Sequence, residues 1–177
     1  QYYLNDLIKK RSLLTDSIVL NRNDEYRNIP KNAVKENDTV PYFYLPDING
    51  DFYSSNSFKG KIIYINFWAT WCKPCLVSIP EKNLLIEKFK DSDNVVFLNI
   101  CVLSEKDTWE KTVTERKLNG INLFANKNWS DILIQKYNVS EYPTYFLVQD
   151  SRIIKPYCDG PKNIEDDIAL ILNRIIK

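Results

Sequence analysis

Hydrophobic positions along the chain switch period several times, and each switch marks an element. Leu4, Leu7, Ile8, Leu14 and Ile18 recur at the spacing of one helical face, so residues 2–20 predict a helix. Asn21 to Asp38 is polar, contains Pro30, and predicts an irregular connector. Short alternating runs at 42–45 and 51–53 flank Asp47-Ile48-Asn49-Gly50, a hairpin signal. Ile62-Ile63-Tyr64-Ile65-Asn66-Phe67-Trp68 is almost continuously β-branched or aromatic and predicts a central strand covered on both faces.

Residues 73–89 predict a helix kinked by Pro80, and 94–102 a second apolar strand. Strand, helix and strand in this order make a βαβ unit with a right-handed crossover. Lys106–Leu118 and Ser130–Tyr137 predict helices, and Thr144–Gln149 and Arg152–Pro156 predict strands joined by a tight Asp150-Ser151 turn. Ile164, Ile168, Ile171, Leu172 and Ile175 form the stripe of a closing helix over 163–177, with Asn163 as its N-cap. The expected architecture is α/β: a mixed sheet with helices on both faces. Residues 1–38 are expected to be a helical extension and linker, the end of an upstream domain, and 39–177 the main domain.

Composition narrows the function. The 177 residues carry 24 basic and 23 acidic side chains, net +1, so no basic field is available for nucleic acid. Apolar runs are only a few residues long, too short to span a bilayer. The chain has no Met, from which we expect a processed or truncated form that has lost a signal peptide or lipid-attachment segment. It also has no His, which removes Ser-His and Cys-His catalysis and His-based metal sites.

Chemistry therefore concentrates on the cysteines. Cys72 and Cys75 stand where the central strand hands over to a helix. Free N–H groups at a helix start, together with the nearby Lys73, favour a thiolate at Cys72, the species that attacks a disulfide. Two intervening residues let the second sulfur close a ring and expel a bound partner. Pro74 fits a helix start, where its missing N–H costs little. A lone C-x-x-C is also half of a zinc site, but Cys101 and Cys158 are isolated and no His completes a tetrahedron, so no metal is expected. Cys101, inside an apolar strand, is expected to be a packing residue, as is Cys158; a bond between the two stays open.

Phe67-Trp68-Ala69-Thr70-Trp71-Cys72-Lys73-Pro74-Cys75 resembles the active-site signature of thioredoxin-fold proteins. Lys59-Gly60-Lys61 and the hairpin before it resemble the TlpA/ResA-like (redoxin) branch of thiol–disulfide oxidoreductases. Glu141-Tyr142-Pro143-Thr144 supplies a second match, and the likeness covers roughly residues 40–177. It implies a thioredoxin-like fold with an N-terminal hairpin, no cofactor, Cys72 as the exposed attacking thiol and Cys75 as the buried resolving thiol. It implies that Pro143 is cis and lies against the pair, leaving the backbone of Tyr142 free for an extended substrate, and that Trp71 shields the disulfide.

The implied activity is protein-disulfide reduction on exported proteins, recharged by a membrane-bound thiol donor. The implied location is extracytoplasmic and bacterial, with the membrane touched only through a missing N-terminal anchor. A peroxiredoxin-like thiol peroxidase and a disulfide oxidase or isomerase are the alternatives; the first wants a Thr and a Pro ahead of the cysteine, where this chain has Ala69. Asn66 and Ser78 occupy positions where relatives often carry acids. Deprotonation of Cys75 is therefore expected to run through water or a more distant carboxylate such as Glu81.

Overall fold

The computed structural model describes residues 34–175. The helix expected over residues 2–20 and most of the connector lie outside this range. Among the described residues seven strands and five helices follow one another: β1 (Tyr44–Pro46), β2 (Phe52–Ser54), β3 (Ile62–Trp68), α1 (Lys73–Val77), α2 (Ile79–Lys88), β4 (Val95–Cys101), α3 (Lys106–Glu115), β5 (Ile121–Phe124), α4 (Lys127–Tyr137), β6 (Thr144–Gln149), β7 (Arg152–Lys155) and α5 (Glu165–Ile175).

β3 is buried along its whole length, as its unbroken apolar run demands. It sits at the centre of a five-stranded sheet of order β5-β4-β3-β6-β7. It pairs parallel with β4, which pairs parallel with β5; β6 and β7 are antiparallel additions on the other side. The sheet is thus mixed, as expected. Alternate residues of β3 serve opposite faces. Ile63, Ile65 and Phe67 pack with Leu133 and Tyr137 of α4, while Ile62 and Tyr64 pack with Leu85 of α2 and with Ile168 and Ile171 of α5. Trp68 joins Cys75, Ile79 and α3's Trp109 and Val113 in a third cluster. Burying each large aliphatic side chain contributes about 1.5–3 kcal/mol, so both faces together hold the sheet.

The turns obey local chemistry. Asp150 and Ser151 both take positive φ (50° and 60°), the geometry of a two-residue turn whose twist matches its strands. Asp47 Oδ1 accepts the N–H groups of Asn49 and Asp51, and Gly50 takes φ +88°, closing the β1–β2 hairpin.

Several features differ from the pattern-based expectation. The single helix over 73–89 is two helices, broken at Ser78, two residues before Pro80. Proline lacks the N–H that would bond to the Leu76 carbonyl, while the Ser78 N–H closes the last turn of α1 onto the Pro74 carbonyl. α4 starts three residues early because the Asn126 side chain caps the N–H of Trp129. Asn163 closes a turn onto the Gly160 carbonyl rather than capping α5, which starts at Glu165. β5 was not expected at all: four residues behind Asn119-Gly120 carry too little pattern to separate from a loop.

Residues ahead of 39 already take part in the packing of the domain. Val34 is buried, Asn37 donates its N–H to the Ile153 carbonyl, and Val40 donates to that of Ser151. Phe43 and Leu45 then sink into the α4-side core, and Asp47 bridges to Leu123 of β5. The segment 37–47 thereby runs from the β7 edge of the sheet to the β5 edge.

Candidate functional site

β3 ends at Trp68, and three more residues, Ala69-Thr70-Trp71, carry the chain to Cys72. Cys72 has extended backbone (φ −78°, ψ 99°) and stands as the N-cap of α1. Its Sγ accepts a hydrogen bond from the N–H of Cys75 at 3.2 Å, a donor that the start of a helix leaves unpaired. Opening the disulfide turns that contact into a charge-assisted bond to a thiolate, which favours Cys72 as the ionised sulfur. In the structure the two cysteines are joined, with Cα atoms 5.3 Å apart. Both cysteines are buried, Cys75 at 1% exposure and Cys72 at 4%, so the expectation of an exposed Cys72 is not met in the disulfide form, where the surrounding cluster of Trp68, Ala69 and Ile79 covers both. Lys73 is exposed at the first helical position, with Pro74 next to it.

The rim of the pair is built from three loops. Trp71 is 62% exposed, so it is not a core aromatic. Its indole Nε1 donates to the Leu103 carbonyl at 2.9 Å, and its ring meets Tyr142 edge-on at 5.7 Å. The loop that receives the indole is pinned from beneath. Thr70 N–H donates to Ser104 Oγ, Ser104 Oγ donates to the Val102 carbonyl, and Leu103 N–H donates to Ser130 Oγ. The Tyr142–Pro143 peptide is cis. Thr144 pairs with Phe67 at the top of β3, which brings the loop to the strand end that carries the cysteines, and Tyr142 packs on the cluster containing both of them. Cys72, Cys75, Trp71, Tyr142 and Pro143 thus gather at one end of the sheet.

Beneath the pair the polar groups are unusual. Asn66 is buried on β3, and its Nδ2 donates to Oδ1 of Asn99, the residue opposite it on β4. Asn99 Nδ2 in turn donates to the Asn119 carbonyl. Ser78 Oγ donates to the Cys75 carbonyl. Glu81, the carboxylate singled out as a distant base, is engaged with Lys162 at 2.8 Å. Cys101 and Cys158 are both free and buried, so no bond joins them; burial pushes the Cys101 thiol up to about 12 and raises that of Cys158 further. Neither is ionised near neutrality, which suits packing residues.

Two features escaped the reading of the sequence. The Leu103-Ser104 loop, which fixes Trp71, is separated from it by about thirty residues and carries no motif. Lys82 lies on the buried face of α2, and its place in the apolar stripe from Cys75 through Ile79 to Leu85 was available from spacing alone.

Comparison with known proteins agrees with this geometry. Residues 37–156 match the model of the AhpC/TSA family. The thiol-disulfide oxidoreductase ResA of Geobacillus kaustophilus is 33% identical over 136 residues, 77% of this chain and 76% of the relative. The thioredoxin-like protein YneN of Bacillus subtilis is 31% identical over 131 residues, 70% of this chain and 71% of the relative. Among solved structures, the thioredoxin domain of a thiol-disulfide oxidoreductase from Bacteroides vulgatus superposes with a TM-score of 0.69 at 20% identity. The match covers 82% of this chain and all of that one. At that identity the likeness speaks for the thioredoxin fold.

Proposed function

The chain belongs to the AhpC/TSA family, and from that premise we propose that it is a thiol–disulfide oxidoreductase of the ResA type that reduces disulfides of exported proteins. The observation that carries this reading is the Cys72–Cys75 disulfide at a strand-to-helix junction, capped by a Cys75 N–H and rimmed by Trp71 and Tyr142-Pro143. Reduced, the Cys72 thiolate attacks a substrate disulfide and forms a mixed disulfide with one substrate sulfur. Cys75 then attacks Cys72 Sγ, the mixed disulfide breaks, and the substrate leaves as a dithiol. An upstream thiol donor returns the pair to its reduced form. The backbone of Tyr142, next to a residue with no N–H, is available to an extended substrate segment.

The reductive direction, an extracytoplasmic location and a tether ahead of the domain are part of this proposal and follow from the resemblance of residues 40–177 to the TlpA/ResA-like branch. Among the described residues no helix is long and apolar enough to cross a membrane. The peroxidase alternative has less support. The residue three positions before Cys72 is Ala69, fully buried, where an activating hydroxyl would be needed.

Replacing Cys75 with Ser leaves the attacking thiol without its resolving partner. The variant should accumulate mixed disulfides through Cys72, both with a model peptide disulfide and with proteins of the native host, detectable by reductant-sensitive mobility shifts. Failure of Cys75→Ser to trap any disulfide partner, with Cys72 intact and reactive to iodoacetamide, would overturn the reading. A redox titration against glutathione then fixes direction, a reductase requiring a potential below that of its compartment.

A further inference from the structure

The break at Ser78 leaves one buried stripe running through both helices after the active site: Cys75, Ile79, Lys82 and Leu85. Their spacings of four, three and three residues are those of a single helical face. Three of these side chains are what a stripe against a sheet requires. Lys82 is not, and it is only 2% exposed.

Long helical side chains lean toward the helix N-terminus over the residues three and four positions before them. Lys82 stands three and four residues after Ile79 and Ser78 and seven after Cys75, so it shares the buried side of the two helices with the resolving cysteine. The sheet face opposite is divided. Tyr64 and Phe97 belong with Leu85 to one apolar cluster, and Trp68 and Cys101 belong with Cys75 and Ile79 to the other. Asn66 and Asn99 fill the seam between the clusters, at the level where Lys82 stands between Ile79 and Leu85. Asn66 Oδ1 is buried and accepts no hydrogen bond.

Nothing charged compensates the lysine among the described residues. Titratable groups on the facing elements are Tyr64 on β3, Cys101 on β4, Tyr145 on β6 and Cys158 after β7, and burial raises all four and keeps them neutral. Glu81 on α2 is held by Lys162, Glu110 and Glu115 of α3 pair with Lys106 and Lys111, and Glu165 of α5 pairs with Lys88. Desolvation alone pulls Lys82 from 10.5 to about 7, so a neutral amine is populated at physiological pH.

We propose that Lys82 is the proton acceptor for Cys75 when the mixed disulfide is resolved, standing in for the acids absent at Asn66 and Ser78. The proposal rests on the dithiol-exchange reading above. With Cys72 joined to a substrate sulfur, the neutral Lys82 amine takes the proton of Cys75 Sγ–H through one water that donates to Asn66 Oδ1. The Cys75 thiolate attacks Cys72 Sγ, the Cys72–Cys75 bond forms, and the Cys72–substrate bond breaks. The departing substrate thiolate is protonated by solvent. The substrate gains two electrons and the cysteine pair loses two. When an upstream dithiol reduces the pair again, the Lys82 ammonium returns its proton to Cys75.

The test is single-turnover resolution of the mixed disulfide formed with a fluorescent peptide disulfide, followed between about pH 5.5 and 9 in wild type and Lys82→Met. Wild type should show an inflection near pH 7 that Lys82→Met loses, with resolution at pH 7.5 slowed by roughly tenfold or more. Alkylation of Cys72 in a Cys75→Ser background should be unchanged by the same substitution. A Lys82→Met protein that resolves at the wild-type rate with the wild-type profile overturns the assignment while leaving dithiol exchange standing. Absence of any exchange by wild type overturns both. A second measurement does not depend on the variant folding. In the reduced wild-type protein the ¹³Cε resonance of Lys82 should titrate near pH 7 and shift on Cys75→Ser; titration only above pH 10 overturns the proposal.

Discussion

Trp71 and Lys82 make opposite use of large side chains. Trp71 lies on the surface, held by one hydrogen bond to Leu103 and one ring contact to Tyr142. Removing it uncovers little core, so Trp71→Ala should change stability by less than about 1 kcal/mol. Exposed aromatics at the centre of a docking surface carry much of its binding energy, and kcat/KM for a peptide disulfide should fall by about tenfold. Unfolding curves and steady-state kinetics on the same preparation separate the two effects. Lys82 has the reverse signature. Between pH 7 and 10.5 the unfolded chain holds the lysine proton and the folded chain does not, so stability rises with pH across that window. Below it, charging a buried amine costs on the order of a few kcal/mol. Denaturant titrations of Lys82→Met should show a gain of that order at pH 6, shrinking toward pH 10, with a flatter profile between.

At the scale of elements, legibility followed the strength of the local signal. β3 and β4 could be read because their seven-residue, mostly apolar runs admit few other interpretations, and the β6–β7 turn because two consecutive polar residues separate two shorter β-branched or aromatic runs. The helix expected to kink at Pro80 divides at Ser78 because the proline acts backward: it removes a bond to Leu76, so the helix fails before the proline is reached. β5 was missed for a related reason. Its signal is not in its own four residues but in the glycine ahead of it. Gly120 takes φ +85°, and a Cβ there would come within 2.8 Å of the Phe97 carbonyl. The residue is what lets the chain turn from α3 back alongside β4. Gly120→Ala combines positive φ with a clash against rigid backbone, and should destabilise by about 1–3 kcal/mol. Thermal melting would register this as a drop of several degrees in Tm.

Over the whole molecule, the cysteine pair could be found by motif because its parts are adjacent in sequence, whereas the surroundings of the pair are assembled by topology. Strand order brings Thr144 beside Phe67 and Asn99 beside Asn66, and neither neighbour is visible until the sheet is built. The path of residues 37–47 is another property of this kind. Polar composition made the start of that segment look like linker, yet its backbone pairs with Ile153 and Ser151 at one margin of the sheet and reaches Leu123 at the other. A five-stranded sheet otherwise ends in two rows of unpaired N–H and C=O groups, which template the addition of foreign strands. A reductase of exported proteins would meet clients while they are still incompletely folded and rich in such strands. With its own chain bridging to both margins, such a reductase would hold a sticky client by one sulfur with less edge open for a shared sheet.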